Sequence, residues 1–114
     1  MTNLRDRHSV RDIRLACEEI LDYANGHTWE SFRLNSMAIA AVDWQIVVMG
    51  EASKRMSAEF QAEHPEVPWS ELARTRDRIA HGYDRISLPK VWEIASELAP
   101  VLLQQMLALE SLDN

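Results

Sequence analysis

Residues 74–86, RTRDRIAHGYDRI, contain the side chains of this sequence that are best suited to chemistry. A guanidinium such as that of Arg76 binds phosphate through a planar fork of donors and stays charged at any working pH. The imidazole of His81 can pass a proton near neutrality. This pair is sufficient to cut RNA without a metal: the 2′-hydroxyl is deprotonated and attacks the adjacent phosphorus, while the arginine stabilises the negative charge. DNA has no 2′-hydroxyl and is therefore excluded as the substrate.

The spacing within this segment determines which of its groups can meet. Asp77 and His81 are four residues apart, so on a helix they share a face and the carboxylate can hydrogen-bond the imidazole. Arg76 and His81 are five residues apart, roughly 140° around an ideal helix, and do not share a face. They meet if the helix ends before Gly82 and releases the ring, or if two copies of the helix face each other across a twofold axis. Spacing alone also fits a salt-bridged, solvated surface on which His81 only caps the helix.

The spacing of apolar residues predicts the first two helices that must position this segment. The first helix is expected from about residue 10, with Ser9 as its cap and Gly26 as its stop. Its apolar stripe is expected to contain Ile13, Ala16, Cys17, Ile20, Leu21 and Ala24. After a connector with one short helical turn, a long second helix is expected from about Ser36 to about Ala62. Its apolar first half should lie at the centre of a bundle, and its charged second half should emerge into solvent.

The remaining two helices carry the reactive segment and close the bundle. The stretch PWSELARTRDRIAH predicts a third helix with Ser70 or Pro68 near its start and Gly82 at its end. The last helix has Pro89 in its first turn, and Pro100 should kink or interrupt it. Leu, Ala, Glu and Arg are abundant, and only three glycines and four prolines occur, which favours helix. The sequence therefore predicts an all-α, up-and-down bundle of four to five helices with short loops.

Length and charge narrow the class of protein. The 114 residues suit one domain, residues 1–114. The net charge of −6 counts against an extended nucleic-acid surface, although residues 74–86 carry four arginines against two aspartates, a local +2. No apolar run approaches the ~20 residues of a membrane span, and the N-terminus lacks the apolar stretch of a secretory signal. With Cys17 as the single cysteine, no intramolecular disulfide can form, and the sequence predicts a cytoplasmic protein without membrane contact.

Two neighbouring residues of the second helix, Gly50 and Glu51, are open to structural and functional interpretations. Glu51 has Lys54 and Arg55 three and four residues after it, which is the spacing of surface salt bridges. The alternative is that Glu51 supports Arg76 from across the bundle. Gly50, inside an apolar helix, is expected to allow close helix packing rather than to bind a ligand.

The other polar and aromatic residues indicate structure more than chemistry. Asp43 lies within the apolar stretch and needs a polar partner if it is buried, and a contact at a dimer interface is one option. The tryptophans are expected to fill the core or an interface: Trp29, Trp44, Trp69 and Trp92. The histidines outside the reactive segment lack the spacing of metal ligands: His8, His27 and His64. The sequence predicts neither a metal nor a cofactor.

The segment RDRIAHGY resembles the R-x4-6-H motif of HEPN-domain proteins, and the tyrosine in HGY resembles the R-x4-H-x-Y signature of the HepT toxins, the DUF86 group. The likeness extends beyond the motif. The segments RDIRLACEEILDYANG, VVMGEAS, PEVPWSELARTRDRIAHGYDRI and VWEIASELAPVL follow the order and spacing of that family over nearly the entire chain. This frame is far more specific than the motif alone.

The resemblance implies an all-α homodimer in which two motif helices form a ribonuclease cleft. It implies a metal-independent endoribonuclease that leaves a 2′,3′-cyclic phosphate and acts as the toxin of a type VII HepT/MntA toxin–antitoxin system. The antitoxin would be a minimal nucleotidyltransferase, MntA-like, that transfers AMP onto the motif tyrosine. By position, Arg76 would bind phosphate, His81 would transfer the proton and Tyr83 would become O-AMP-tyrosine. Asp77 takes the supporting polar position, where asparagine is also usual in the family; an aspartate repels phosphate slightly.

Two rival functions remain open at this stage. One is a non-catalytic HEPN module in which Arg76 and His81 hold a nucleotide or RNA without cutting it. The other is a docking subunit of a nucleotidyltransferase complex. The acidic net charge favours these rivals, whereas the complete set of Arg76, His81 and Tyr83 favours the enzyme.

Overall fold

The computed structural model describes residues 3–82 and 86–112, and this part of the chain is all helical. The helices in chain order are α1 (Leu4–Ala24), α2 (Trp29–Phe32), α3 (Ser36–Arg55), α4 (Ala58–Glu63), α5 (Trp69–His81), α6 (Leu88–Glu93) and α7 (Ala99–Ser111), with a π-helical turn at Ile94–Leu98 between the last two. The predicted all-α class is confirmed. None of the helices in these two ranges combines the length and apolarity needed to cross a bilayer.

The core lies where α3 packs against α1 and α5, and where α1 also packs against α7. The predicted stripe of α1 is confirmed, because its residues at three- and four-residue steps are buried: Ile13, Ala16, Cys17 and Ile20. Their partners include Ile46 and Met49 of α3 and Leu102 and Met106 of α7, all fully buried. Burial among these apolar groups raises the pKa of the Cys17 thiol to about 12, so Cys17 behaves as a small core residue, as predicted.

The first helix begins earlier than the sequence indicated. It starts at Leu4, and Asn3 caps it by accepting a hydrogen bond from the backbone N–H of Asp6 at 2.8 Å. Ser9, the predicted cap, is instead buried inside α1. The added first turn also makes a tertiary contact: the buried carboxylate of Asp6 accepts hydrogen bonds from the N–H and the hydroxyl of Ser57, at 2.8 and 2.6 Å. We call Asn3, Asp6 and Ser57 the Asp6 cluster.

The second long helix ends earlier than predicted. It stops at Arg55 instead of continuing to about Ala62, because Met56 is extended and Ser57 begins α4 by accepting a hydrogen bond from the N–H of Phe60 at 3.2 Å. This break turns Phe60 back into the core, where it is buried. The charged residues after α3 therefore form a separate short helix rather than an arm in solvent.

The prediction for the helix that carries the reactive segment is confirmed. Pro68 occupies its N-cap position, and Gly82 follows its last residue. Gly82 adopts φ +77°, a left-handed conformation that suits glycine, and its N–H donates to the carbonyl of Arg78 at 3.2 Å. α5 therefore ends at His81.

Both prolines of the last helical segment lie where the sequence placed them. Pro89 is in the first turn of α6, which Ser87 caps through the N–H of Lys90 at 3.3 Å. Pro100 is in the first turn of α7, two residues after the π-helical turn ends at Leu98. Proline has no N–H to donate to the preceding turn, so the helical hydrogen bonds change before Pro100. The predicted interruption is this π-helical turn.

Candidate active site

The site begins with a close contact between α3 and α5 at Gly50. A Cβ on Gly50 would lie 2.1 Å from the Cβ of Arg76 and 2.7 Å from the carbonyl oxygen of Leu72. Real atoms do not approach so closely, so any larger residue would push the two helices apart. The prediction that Gly50 allows close helix packing is confirmed, and this contact brings the residues around Gly50 within reach of Arg76.

Arg76 is held by two carboxylates, one from each helix. Its Nε donates to Oε1 of Glu51 at 2.7 Å, and its Nη2 donates to the same oxygen. Its Nη1 donates to Oδ1 of Asp77 at 3.1 Å. These bonds, with the one to Glu51 foremost, raise the pKa of Arg76 above its ordinary value, and the guanidinium stays charged. Arg76 is thus a fixed cation, with 23% of its side chain exposed.

The contact between Glu51 and Arg76 settles one alternative left open by the sequence. Glu51 supports Arg76 across the bundle, while Lys54 and Arg55 pair with Asp77 and Asp12 instead. Spacing along α3 favoured salt bridges of Glu51 with Lys54 and Arg55, because spacing carries no information about which other helix packs against this position. Gly50 was the available signal, since a glycine in an apolar helix indicates that another backbone approaches there.

Lys54 was not predicted as part of the site. Its Nζ donates to Oδ1 of Asp77 at 2.8 Å, the oxygen that also accepts from Arg76. The two cations, Lys54 first, lower the pKa of Asp77 below its ordinary value. The positive charges of Lys54 and Arg76 therefore balance the negative charge of Asp77, and this reduces the repulsion between Asp77 and a phosphate. We call Glu51, Lys54, Arg76 and Asp77 the Arg76 cluster.

His81 lies at the C-terminal end of α5 and is exposed. α5 ends before Gly82, as does the helix in the first of the two arrangements that would let Arg76 and His81 meet. The hydrogen bonds of Arg76 in the described ranges go to Glu51 and Asp77, so one chain holds the guanidinium without hydrogen-bonding it to the imidazole. Tyr83, the predicted acceptor of AMP, lies outside the described residues.

An exposed apolar surface surrounds the guanidinium. A groove of about 590 Å³ is lined by Trp44, Val47, Val48, Glu51, Arg55, Arg76 and Ala80, and we call these residues the Trp44 face. Trp44 is 63% exposed, and Met37, at the start of α3, is 83% exposed. The first half of this helix was predicted to lie at the centre of the bundle. α3 does pack against both α1 and α5, but this side of it faces outward. Trp69, in contrast, is buried in the core, as predicted.

Asp43 lies on a different side of α3. It is partly buried and lines a second groove, of about 380 Å³, with residues of α3, α5 and α6 and of the segment before α6: Ile39, Ile79, Ile86, Leu88 and Val91. The sequence suggested a contact at a dimer interface for Asp43. In the structure, Asp43 is not among the residues of the Trp44 face.

The model of a protein family described as ribonuclease HepT-like matches residues 13–109, which include α3, α5 and the whole Arg76 cluster. The chain belongs to the ribonuclease HepT-like family. The match confirms the resemblance found in the motif and its surrounding segments.

Individual relatives agree with this assignment. The chain is 33% identical over 93 residues to a Thermococcus cleftensis protein named "Probable ribonuclease HepT", which covers 82% of this chain and 84% of the relative. It is 33% identical to a protein of Methanocaldococcus jannaschii over 82% of this chain and 78% of the relative. It is 30% identical to a protein of Caldanaerobacter subterraneus over 88% of this chain and 89% of the relative. The last two are each named "Putative RNase". No solved structure matches the chain.

Proposed function

We propose that this member of the HepT-like family is a metal-independent endoribonuclease and the toxin of a type VII HepT/MntA toxin–antitoxin system. The observation that carries the proposal is the fixed guanidinium of Arg76 on an exposed apolar surface, in the helix that ends at His81. A cation fixed by neighbouring carboxylates is suited to bind a phosphate that arrives from solvent. The ribonuclease names of the relatives support the choice of RNA.

The working form that we propose is a homodimer joined through the Trp44 face. Trp44 is a large aromatic residue that is 63% exposed, and Val47 and Val48 lie beside it in the same groove. Large exposed apolar patches mark interaction sites, and tryptophan is enriched among residues that carry binding energy. Because the groove also contains Arg76, a second copy seated there places two arginines at one cleft. This arrangement supplies the twofold pairing, which is one of the two ways in which the spacing allows Arg76 and His81 to meet.

In the proposed reaction, His81 removes the proton of a ribose 2′-hydroxyl. The 2′-oxygen attacks the adjacent phosphorus, and the bond from phosphorus to the 5′-oxygen breaks. The departing 5′-oxygen takes up a proton, and the products are a 2′,3′-cyclic phosphate and a 5′-hydroxyl. Arg76 stabilises the negative charge that accumulates on the phosphoryl oxygens during the attack. No step needs a metal or a cofactor.

We further propose that a minimal nucleotidyltransferase, MntA-like, silences this enzyme by modifying Tyr83. The phenolic oxygen attacks the α-phosphorus of ATP, the phosphorus–oxygen bond to the β-phosphate breaks, and pyrophosphate leaves. The product carries a nucleotide and at least one negative charge two residues from His81. Substrate phosphate would then be excluded by size and by repulsion of like charge.

The enzymatic claim is tested by incubating the purified protein with RNA in EDTA. We expect fragments with 2′,3′-cyclic phosphate ends from the wild-type protein. Cleavage that requires an added divalent metal, or that leaves 3′-hydroxyl ends, would contradict the mechanism.

The regulatory claim is tested by mass spectrometry after incubation with the nucleotidyltransferase and ATP. We expect added AMP on the wild-type protein and none on Tyr83→Phe. Added mass that survives this substitution would show that Tyr83 is not the acceptor.

The strongest second candidate is a non-catalytic HEPN subunit that binds a nucleotide or RNA, or that docks the nucleotidyltransferase. It is favoured by the net charge of −6 and by the two carboxylates that already accept hydrogen bonds from Arg76. Such a subunit binds RNA equally well in the wild-type protein and in His81→Ala, and cleaves it in neither.

A further inference from the structure

The hydrogen bonds that Arg76 makes in the described ranges engage only part of its guanidinium. A guanidinium has five N–H groups in a fixed plane. Glu51 accepts from Nε and from Nη2, and Asp77 accepts from Nη1, so three of the five are engaged. In the described ranges, one N–H on each terminal nitrogen makes no hydrogen bond. These two N–H groups are the donors that remain for a phosphate.

The close approach of α3 and α5 at Gly50 brings Glu51 within reach of Arg76. Glu51 follows Gly50 directly, and its carboxylate accepts from Arg76 across this helix contact. Both side chains remain partly open to solvent, Glu51 at 40% and Arg76 at 23%. An arginine in such a place would otherwise sample many rotamers, since its side chain carries considerable conformational entropy.

We infer that Glu51 is a positioning residue of the proposed ribonuclease: it fixes the guanidinium of Arg76 and turns its two remaining N–H groups toward the substrate phosphate. The inference rests on the proposed function and adds a role for a residue outside the R-x4-H-x-Y motif. Asp77 contributes to the same orientation, and Lys54 offsets its charge. Glu51 acts on the substrate through Arg76 and does not touch the reacting atoms.

A positioning role differs from its alternatives in the direction of two measurable effects. Glu51 brings a negative charge near the substrate phosphate, so removing it should not weaken RNA binding. Removing it should nevertheless slow the reaction, because a guanidinium out of place stabilises the transition state poorly. If Glu51 instead blocked Arg76 until substrate displaced it, its removal would speed the reaction. If it only stabilised the fold, rate, binding and melting temperature would fall together.

The kinetic test compares Glu51→Ala and Glu51→Gln with the wild-type protein under single-turnover conditions. We expect Glu51→Ala to lower the rate by about 10- to 100-fold. We expect an unchanged or lower dissociation constant for the 2′-O-methylated form of the same RNA. Glu51→Gln keeps an acceptor oxygen at this position, so its rate should stay within a fewfold of the wild-type rate. A rate for Glu51→Ala at or above that of the wild-type protein would overturn the inference.

The matched control is Glu30→Ala. Glu30 also pairs with an arginine through a single oxygen: its Oε2 accepts from Nε of Arg33 at 3.1 Å and lies 3.0 Å from Nη2, but Arg33 lies outside the Arg76 cluster. Its rate and RNA affinity should match those of the wild-type protein. A loss in Glu30→Ala as large as that in Glu51→Ala would show a general charge effect and would overturn the inference.

A measurement without RNA separates this inference from the proposed function. In the nitrogen NMR spectrum of the full chain, the Nε–H signal of Arg76 should exchange slowly with water in the wild-type protein and in Glu51→Gln, and quickly in Glu51→Ala. Equal exchange in all three would mean that Glu51 does not fix the guanidinium. If the wild-type protein fails to cleave RNA, the proposed function fails and the catalytic part of the inference fails with it. The exchange rates then still decide whether Glu51 orients Arg76.

Discussion

The Asp6 cluster and the Arg76 cluster both join two helices through a carboxylate, but solvent reaches them differently. Asp6 is only 2% exposed and accepts hydrogen bonds from neutral donors, the N–H and hydroxyl of Ser57 and the amide of Asn3. Arg76 has 23% of its side chain exposed, and its partners are ions on a surface lined by Trp44. A closed polar cluster contributes to stability, whereas an open one with a fixed cation can also meet a ligand. The two clusters therefore separate residues that maintain the fold from residues that we expect to act.

The largest effect is expected from Trp44→Glu, which places a charge at the centre of the open surface. If the Trp44 face joins two copies, the dissociation constant of the dimer should rise more than 100-fold, in line with the loss of a central tryptophan. The unfolding transition of the monomer should hardly change, because Trp44 is 63% exposed in the single chain. Analytical ultracentrifugation measures the dissociation constant. A dimer of unchanged affinity would show that the open surface is not the interface.

The next effect is expected from Asp6→Ala, which breaks the closed cluster. The substitution leaves the N–H and hydroxyl of Ser57 without their acceptor, and we expect a loss of about 2–3 kcal/mol in the free energy of unfolding. Urea denaturation measures this loss. The control is Asp12→Ala, which removes an exposed ion pair with Arg55 and should cost less than about 1 kcal/mol. Equal losses of unfolding free energy in Asp6→Ala and Asp12→Ala would show that the buried carboxylate contributes no more to stability than the exposed one.

Gly50→Ala tests the helix contact under the Arg76 cluster. Helix propensity alone predicts that this change stabilises α3 by about 0.5–1 kcal/mol. The contact with Arg76 and Leu72 predicts the opposite, a loss of about 1–3 kcal/mol from overpacking, together with slower RNA cleavage. Urea denaturation gives the sign directly. A more stable Gly50→Ala protein would show that α3 and α5 are not held so close.

The smallest effect is expected from Asp77→Asn, and it should depend on pH. The cations around Asp77, Lys54 before Arg76, lower its pKa, so the folded state releases this proton more readily than the unfolded state. The resulting stabilisation is complete above the ordinary pKa of 3.8 and disappears as the pH falls through the lower folded value. The urea midpoint of Asp77→Asn should therefore lie slightly below that of the wild-type protein at pH 6. As the pH is lowered below 3.8, the difference between the two midpoints should shrink; a difference that does not change with pH would assign the effect to something other than charge.

The sequence predicted local features well and tertiary ones poorly. The stop at Gly82 and the interruption at Pro100 follow from backbone chemistry, and both are present in the structure. The start of α1 and the end of α3 were misplaced because the capping residues Asn3 and Ser57 were not recognised in the sequence. The bond between Asp6 and Ser57 joins residues 51 apart, and spacing along the chain does not reveal it. Spacing along α3 likewise suggested Lys54 and Arg55 as partners of Glu51. Only the approach of α5 at Gly50 decides that Glu51 binds Arg76.

The exposed side of α3 illustrates a further limit of sequence patterns. An apolar helix indicates burial, but the pattern does not distinguish burial within one chain from burial against a second chain. Trp44 and Val47 look like core residues in the sequence, yet they lie on the open surface beside Arg76. The roles of Arg76, His81 and Tyr83 came from the motif and remain predictions.

The central claim is that Arg76 and His81 from two copies converge on one phosphate, and mixed dimers test it most directly. Arg76→Ala and His81→Ala homodimers should each be slower than the wild-type protein, by about 100- to 10,000-fold for His81→Ala. When the two variants are unfolded together and refolded, mixed dimers keep one arginine and one histidine on different chains. We predict that the mixture cleaves RNA at least tenfold faster than either variant alone. A mixture no more active than its components, from dimers shown to have exchanged chains, would contradict a site shared between subunits.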